Sequence, residues 1–257
     1  MTSTREYLDF ATDAAFRAGR QALSYFQTGV EADRKADLSP VTIADRGGEE
    51  LLRRLIRERF PRHAVVGEEM GASGDSSHRW ILDPIDGTRS FVRGVPLFGV
   101  LVALEIEGEP VVGVCYLPAL DEMIAAGRGE GCVWNGRRAR VSSVDTLEEA
   151  LVSVTEPASL SDMHPAFWEK LKRKAGTLRG YSDCYGHILV ATGRAEVMLD
   201  PVMNLWDNAA LLPIVEEAGG SFTDWSGRRV IDGGSAISTN GALLEAVLAL
   251  QGSNTPR

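Results

Sequence analysis

At Trp80-Ile81-Leu82-Asp83-Pro84-Ile85-Asp86-Gly87-Thr88 an apolar run meets two carboxylates with a proline between them. The apolar triplet reads as the end of a buried strand closing at Leu82, and Pro84 fixes the backbone between Asp83 and Asp86. Both acids then stand at the carboxyl edge of a strand, where α/β sheets collect ligands. Gly87 permits a sharp turn, and Thr88 can cap a helix beginning near Arg89. Amides at such a helix start suit a phosphate. Two acids beside an anion site repel each other and the ligand, and hard divalent cations remove both conflicts. Mg²⁺ in particular takes carboxylate and phosphate oxygens together. The plainer alternative is that Asp83 and Asp86 only cap a turn.

Three further segments offer acids to this turn. In Val65-Val66-Gly67-Glu68-Glu69 the acids follow a short strand directly, so Glu68 either meets Asp83 at a shared sheet edge or is an exposed loop acid. In Leu205-Trp206-Asp207-Asn208-Ala209-Ala210, Asp207 falls in the first turn of a helix, where an anion is favoured, and where capping explains it equally well. Asp45, in Pro40-Val41-Thr42-Ile43-Ala44-Asp45, stands where a second helix begins, and a cap is its ordinary explanation. Competing chemistries find no support. His63, His78, His164 and His187 are scattered, no GxSxG nucleophile elbow is present, and Cys184 has no obvious base partner.

The organisation of the chain is consistent with one large fold or two closely packed halves. Leu8, Ala11, Ala15, Ala18, Ala22 and Phe26 recur at helical spacing, and a second helix is predicted over 44–60, stopped by Pro61. Short apolar runs at 64–66, 80–82, 99–106, 111–116 and 123–126 read as neighbouring strands, extended by a hairpin near Val133 and Ala139 with Asn135-Gly136 at its turn. Beyond Leu147 strands (151–154, 196–199, 236–238) alternate with helices (165–174, 186–192, 207–218, 242–250). The expected division is an N-terminal α+β half at 1–145, rich in antiparallel sheet and carrying the acidic turn, and a C-terminal α/β half at 146–257. Only the tail at 252–257 is of low complexity.

Charge narrows the partners. With 27 Lys and Arg against 36 Asp and Glu, the formal charge is −9, which disfavours nucleic acid or an anionic membrane as the main partner. A phosphate ester is still compatible, because bound cations reverse the local field. Three widely spaced cysteines match no zinc pattern and suit a reducing compartment. Charges near the N-terminus and the absence of a long apolar run lead to the expectation of a cytoplasmic protein without a membrane span.

Taken together, Glu68 in GEE, Asp83 to Thr88 as DPIDGT, Asp207 in WDNAA and Asp45 in VTIAD resemble the inositol monophosphatase superfamily in order and separation, from the first helix to about Asn240. The resemblance implies a mixed α+β chain folded as a layered α-β-α-β-α sandwich. It implies Mg²⁺-dependent hydrolysis of a small phosphate monoester, with two or three ions and no covalent intermediate. By motif position, Glu68, Asp83 and the Ile85 carbonyl would bind one metal, and Asp83, Asp86 and Asp207 a second. Asp45 and Thr88 would orient and deprotonate the attacking water, and the Gly87 and Thr88 amides would hold the phosphate. A homodimer is common among such proteins.

The stretches Asp86 to Pro96 and Ser182 to His187 resemble the histidinol-phosphate phosphatase branch more than the inositol branch. By alignment with that family, Asp183 and Asp200 fall where the leaving alcohol is contacted, beside Glu68, Asp86 and Asp207. Histidinol carries an ammonium and an imidazole, for which carboxylates are suited, whereas inositol offers neutral hydroxyls. Asp183 can also be read as the cap of a helix beginning near Tyr185. Arg89 and Arg93 either attract an anionic substrate at the rim or are solvated. The rival readings are an inositol-1-monophosphatase or related small-molecule phosphatase and, from a different class, a non-catalytic metal-binding regulatory protein.

Overall fold

The computed structural model describes residues 2–35 and 40–251; the polar tail at 252–257 lies outside them. α1 (Thr4–Leu23) opens the chain behind a reciprocal cap, in which Glu6 N donates to the Ser3 hydroxyl and Ser3 N to the Glu6 carboxylate. A short antiparallel pair, β1 (Ala32–Arg34) and β2 (Pro40–Thr42), leads into α2 (Ile43–Arg59), which ends before Pro61. There follow β3 (Ala64–Gly67), β4 (Gly71–Ser73), β5 (His78–Asp86), the five-residue α3 (Thr88–Val92), β6 (Gly99–Ile106), β7 (Glu109–Leu117), β8 (Glu122–Gly127), β9 (Gly131–Trp134) and β10 (Arg137–Arg138). They form an eight-stranded sheet in the order β10-β9-β8-β7-β6-β5-β3-β4, antiparallel except between β3 and β5.

The remainder comprises β11 (Leu151–Val154), α4 (Pro157–Met163), α5 (Pro165–Lys174), β12 (Thr177–Arg179), α6 (Asp183–Ala191), β13 (Val197–Asp200), α7 (Leu205–Glu217), β14 (Ser221–Thr223), β15 (Ala236–Thr239) and α8 (Leu244–Ala249). Its five strands make a mixed sheet in the order β12-β11-β13-β15-β14.

Alternation along the strands builds the layers. Trp80, Leu82, Val100, Val102, Val112 and Val114 pack on one face of the large sheet with the alanine stripe of α1 and Leu52 and Ile56 of α2. Ile81, Leu101, Ala103 and Cys115 face the other way, onto α6 and α7. On the small sheet, Val152, Val154, Val197 and Leu199 turn outward onto α4, α5 and α8. The result is the expected α-β-α-β-α sandwich. Because α7 lies between two sheets, it is buried from Asn208 to Val215, and its apolar residues ring the helix rather than forming one stripe. Among the described residues, no helix is long and apolar enough to cross a membrane.

The elements depart from the sequence expectation in a few places. β5 does not close at Leu82 but continues to Asp86, pairing Asp83 with Leu101 and Asp86 with Gly99, so the register shifts between them. Pro84 has no N–H for the ladder, and one extra residue is absorbed there as a bulge. α6 begins at Asp183 rather than Gly186. The short strands β1, β2, β4, β12 and β14, and the seven-residue α4, were not anticipated, being too short to carry a period. At the β9–β10 hairpin, Asn135 and Gly136 both have positive φ (46° and 77°), as the Asn-Gly pair requires.

Gly113 of β7 is where the central helix comes nearest the large sheet: a Cβ there would overlap the Ala210 carbonyl oxygen and press on Pro213. Gly113→Ala is therefore expected to lower stability by about 1–3 kcal/mol, as overpacking does, and to depress the melting temperature measurably. Gly180→Ala, whose Cβ would have its nearest neighbour at 3.9 Å, should leave it almost unchanged; equal melting temperatures for both variants would show that α7 can move aside.

Candidate active site

The bulged end of β5 delivers Asp83 and Asp86 to a cleft of about 160 Å³, also lined by Glu68, Ile85, Gly87, Thr88, Asp183 and Asp207. Asp83, Asp86 and Asp207 each present an oxygen within 4.8 Å of the other two. Asp83 is held by its own turn, accepting from Ile85 N at 2.9 Å. Asp86 accepts from Cys184 N at 2.6 Å, in the first turn of α6, where the helix dipole favours an anion. Gly87 takes a left-handed φ of 83°, with the Leu97 carbonyl and the Asp183 carboxylate close to where a Cβ would lie.

Two of these acids take part in helix caps, Asp207 in the wall of the cleft and Asp45 behind it. Asp45, three residues after the N-cap Thr42, accepts from Thr42 N (2.8 Å) and Thr42 Oγ1 (2.6 Å) through Oδ2. Its Oδ1 accepts from the Thr88 hydroxyl at 3.1 Å, which also lies 2.9 Å from the Ile85 carbonyl oxygen. Asp45 is buried behind the cleft and reaches it only through Thr88. Asp207 caps α7 in the same way, accepting from Asn204 N at 2.7 Å and Nδ2 at 3.3 Å. A carboxylate has about four acceptor positions, so neither cap exhausts it.

Burial is the largest influence on every one of these acids. It pushes Asp83 and Asp86 well above the ordinary carboxylate range, reinforced at Asp83 by the charges of Glu68, Asp86 and Asp207, and at Asp86 by Asp183 and Asp207. Asp207 is raised to about 6, and Asp45 and Glu68 are raised as well. Glu68 meets a cation of the chain itself: Lys35 Nζ donates to Glu68 Oε1 at 2.6 Å and to Glu69 Oε1 at 2.5 Å. Burial opposes the charge on Lys35, but the two carboxylates hold its pKa above the usual range. A set of buried, oxygen-only donors with suppressed ionisation fits a hard divalent cation, whose charge would let the acids ionise together.

A second cavity, about 240 Å³, adjoins the first and shares Arg89 and Asp183 with it; Thr155, Glu156, Asp200, Pro201 and Val202 complete its walls. Asp200 accepts from the Thr155 hydroxyl at 2.6 Å, and the same oxygen of Thr155 accepts from Asp183 N at 3.2 Å. Burial raises Asp200 to about 8 and raises Asp183 too. Asp183 does not cap a later helix. It is the first residue of α6, with a strained φ of 55°, and accepts from the Ser182 hydroxyl at 2.8 Å. Arg89 forms an exposed ion pair with Glu156 at 2.8 Å, and Arg93 is solvated. Lys35 and Thr155 escaped the sequence reading: each is a lone polar residue in a stretch without period, and its partners are near only in space.

An acid with a raised folded-state pKa stabilises the protein below its unfolded pKa and loses that contribution as pH rises through the folded value. For Asp207 that value is about 6 and for Asp200 about 8. The chelator-treated protein should thus melt at a higher temperature near pH 6.5 than near pH 8.5. Below that window His187, pushed down to about 3 by burial, acts in the opposite direction. Mg²⁺ should raise the melting temperature more at the alkaline end. Circular-dichroism melts showing no pH dependence in chelator would contradict the crowded-acid picture.

The chain is similar to known proteins over nearly its whole length. The model of the inositol monophosphatase family matches residues 3–255. A histidinol-phosphatase of Chlorobaculum parvum is 45% identical over 251 residues, covering 95% of this chain and 96% of that protein. A histidinol-phosphatase of Mycobacterium tuberculosis is 40% identical over 225 residues, covering 84% and 86%. Among solved structures, the extragenic suppressor protein suhB of Bartonella henselae superposes with a TM-score of 0.90 at 29% identity, over 96% of this chain and 99% of that one. By sequence over nearly its whole length and by fold, the chain belongs to the inositol monophosphatase family.

Proposed function

We propose that this protein is a Mg²⁺-dependent phosphoric monoester hydrolase whose substrate is histidinol phosphate, split by water into histidinol and inorganic phosphate. The observation that carries the reading is the adjacency of two acidic sets, Asp83, Asp86 and Asp207 in one cleft and Asp183 and Asp200 at its edge. The names of the two histidinol-phosphatases, similar over most of their length, support the choice of alcohol.

Glu68, Asp83 and the Ile85 carbonyl would hold one cation, and Asp83, Asp86 and Asp207 another. Two or three bound Mg²⁺ ions would neutralise the carboxylates and polarise the phosphoryl oxygens. The chain's own groups then do the rest. The Gly87 and Thr88 amides would hold the phosphate at the turn. A water beside Thr88 would pass a proton to the Thr88 hydroxyl as Thr88 passes its own to Asp45 Oδ1, 3.1 Å away. Burial has raised the Asp45 pKa, which makes it a better proton acceptor. The water oxygen attacks phosphorus in line with the alcohol oxygen, which departs with its electron pair and takes up a proton from a solvent water. The proton left on Asp45 returns through Thr88 to solvent. Asp183 and Asp200 would bind the cationic part of the departing histidinol. A buried acid held near a pKa of 8 ionises readily once an ammonium arrives beside it.

Two measurements test this reading. Phosphate release should stop on chelation and return with Mg²⁺, and it should be faster from histidinol phosphate than from inositol phosphates. Full turnover in chelator would end the multi-metal mechanism, and a preference for inositol phosphate would move the assignment within the family. No turnover on any monoester would favour a regulatory metal-binding protein. Separately, Asp183→Asn should lower kcat/KM for histidinol phosphate by about 1.5–3 kcal/mol, the scale of a hydrogen bond to a charged group. Slow hydrolysis of an inositol phosphate should be unaffected; an equal loss on both substrates would make Asp183 structural.

A further inference from the structure

One turn beyond Asp45 on α2, Glu49 is wholly buried yet takes no part in the chemistry described above. Its Oε2 accepts from Glu69 N at 2.7 Å, and its Oε1 from Met70 N at 3.2 Å and from Arg53 Nε at 2.6 Å. Arg53 Nη1 in turn donates to Ser73 Oγ at 2.9 Å, and Nη2 to the Gly71 carbonyl. Among the described residues, every partner apart from the Glu49–Arg53 pair itself lies in the hairpin of β3 and β4, where Gly67 pairs with Gly71 across a loop of Glu68, Glu69 and Met70. The Glu49 carboxylate also lies flat against Gly67, leaving no room for a Cβ. Glu68 N completes the frame by donating to the Leu82 carbonyl at 3.2 Å, directly before Asp83.

We propose that Glu49, locked by Arg53, is the positioning residue for Glu68: it fixes the β3–β4 loop so that the Glu68 carboxylate is presented to a divalent cation beside Asp83. The inference rests on the reading of Glu68 as a metal ligand. Charge-assisted bonds to successive amides are the strong kind, and an amide left without its acceptor in a buried place is costly. Glutamine at this position keeps the volume but offers one acceptor and turns an NH₂ group toward N–H donors. The loop then shifts, and Glu68 with it. Losing an outer partner of this sort typically weakens metal binding about 10–100-fold.

The test is calorimetric titration of Mg²⁺, and of Mn²⁺ as a second probe, into chelator-stripped protein without substrate. Glu49→Gln should raise the cation Kd at least about tenfold, equivalent to about 1.4 kcal/mol. Leu171→Ala, a buried truncation on the outer side of the small sheet, should lower the melting temperature without moving Kd. Arg53→Lys keeps a charge beside Glu49 but loses the fork to Gly71 and Ser73, and should raise Kd less; it serves in place of Glu49→Gln should that variant not fold. An unchanged Kd in the Glu49 and Arg53 variants, or an equal change in Leu171→Ala, would overturn the proposal and leave the enzyme reading standing. Failure of the unmutated protein to bind either cation would instead overturn that reading.

Discussion

Like charges brought together out of water are the constraint around which this fold is arranged. Asp83, Asp86 and Asp207 would separate if their backbones allowed it, and each is prevented in a different way. Asp83 and Asp86 are carried on a strand with neighbours on both sides, β3 and β6, and Asp86 is further tied to the first turn of α6. Asp207 is held at the start of a helix that packs between two sheets. The local dielectric makes the cost of ionising them high, a cost that a bound cation would offset. Lys35, drawn between Glu68 and Glu69, answers the same need with an ammonium.

The most legible part of the chain was the segment from Trp80 to Thr88, where an apolar run marks a strand, a proline fixes φ and a glycine permits the turn. Thr88, read as a cap, is instead the first residue of α3 after the N-cap Gly87, and its hydroxyl donates to Asp45 and to the Ile85 carbonyl. The helical and alternating periods were long enough to give two halves, one rich in antiparallel sheet and one of α/β type; the layered sandwich itself was what the family resemblance implied. What escaped has physical causes. Asp and Pro are poor strand formers, so nothing local indicated that β5 runs on to Asp86; pairing with β6 overrides the propensity there. Edge strands of three residues have no period to detect. Asp45 and Asp207 could be read as caps or as site acids; the capping bonds are seen, and because a carboxylate has further acceptor positions the two readings do not exclude each other. Glu49 and Arg53, four apart on a helix, look like any solvated pair. Their burial is set by a hairpin that the sequence does not place near them.

The two cavities differ in kind as well as in position. The cleft at the end of β5 is built from a sheet strand and the starts of α3, α6 and α7, regular elements of the kind that the proposed cation site would need. The adjoining cavity is joined to it through Asp183, whose left-handed backbone is stabilised by Thr155 and Ser182. Strain of this sort persists only where the surroundings enforce it. Here one threonine hydroxyl serves both Asp183 and Asp200, so the two acids are set by the same residue and respond together to changes in it.

The order of the acids along the chain carries a consequence of its own. Glu68, Asp83 and Asp86 lie in the first half of the polypeptide, and Asp207 follows Asp83 by nearly half its length. Synthesis proceeds from the N-terminus, so the first three exist as peptide well before their partner does. The eight strands of the large sheet precede α7, but one face of that sheet has its cover only when α6 and α7 arrive. The complete acidic cleft thus needs α7, and a nascent or truncated form ending before Leu205 lacks both Asp207 and the helix that closes the core over Asp83 and Asp86.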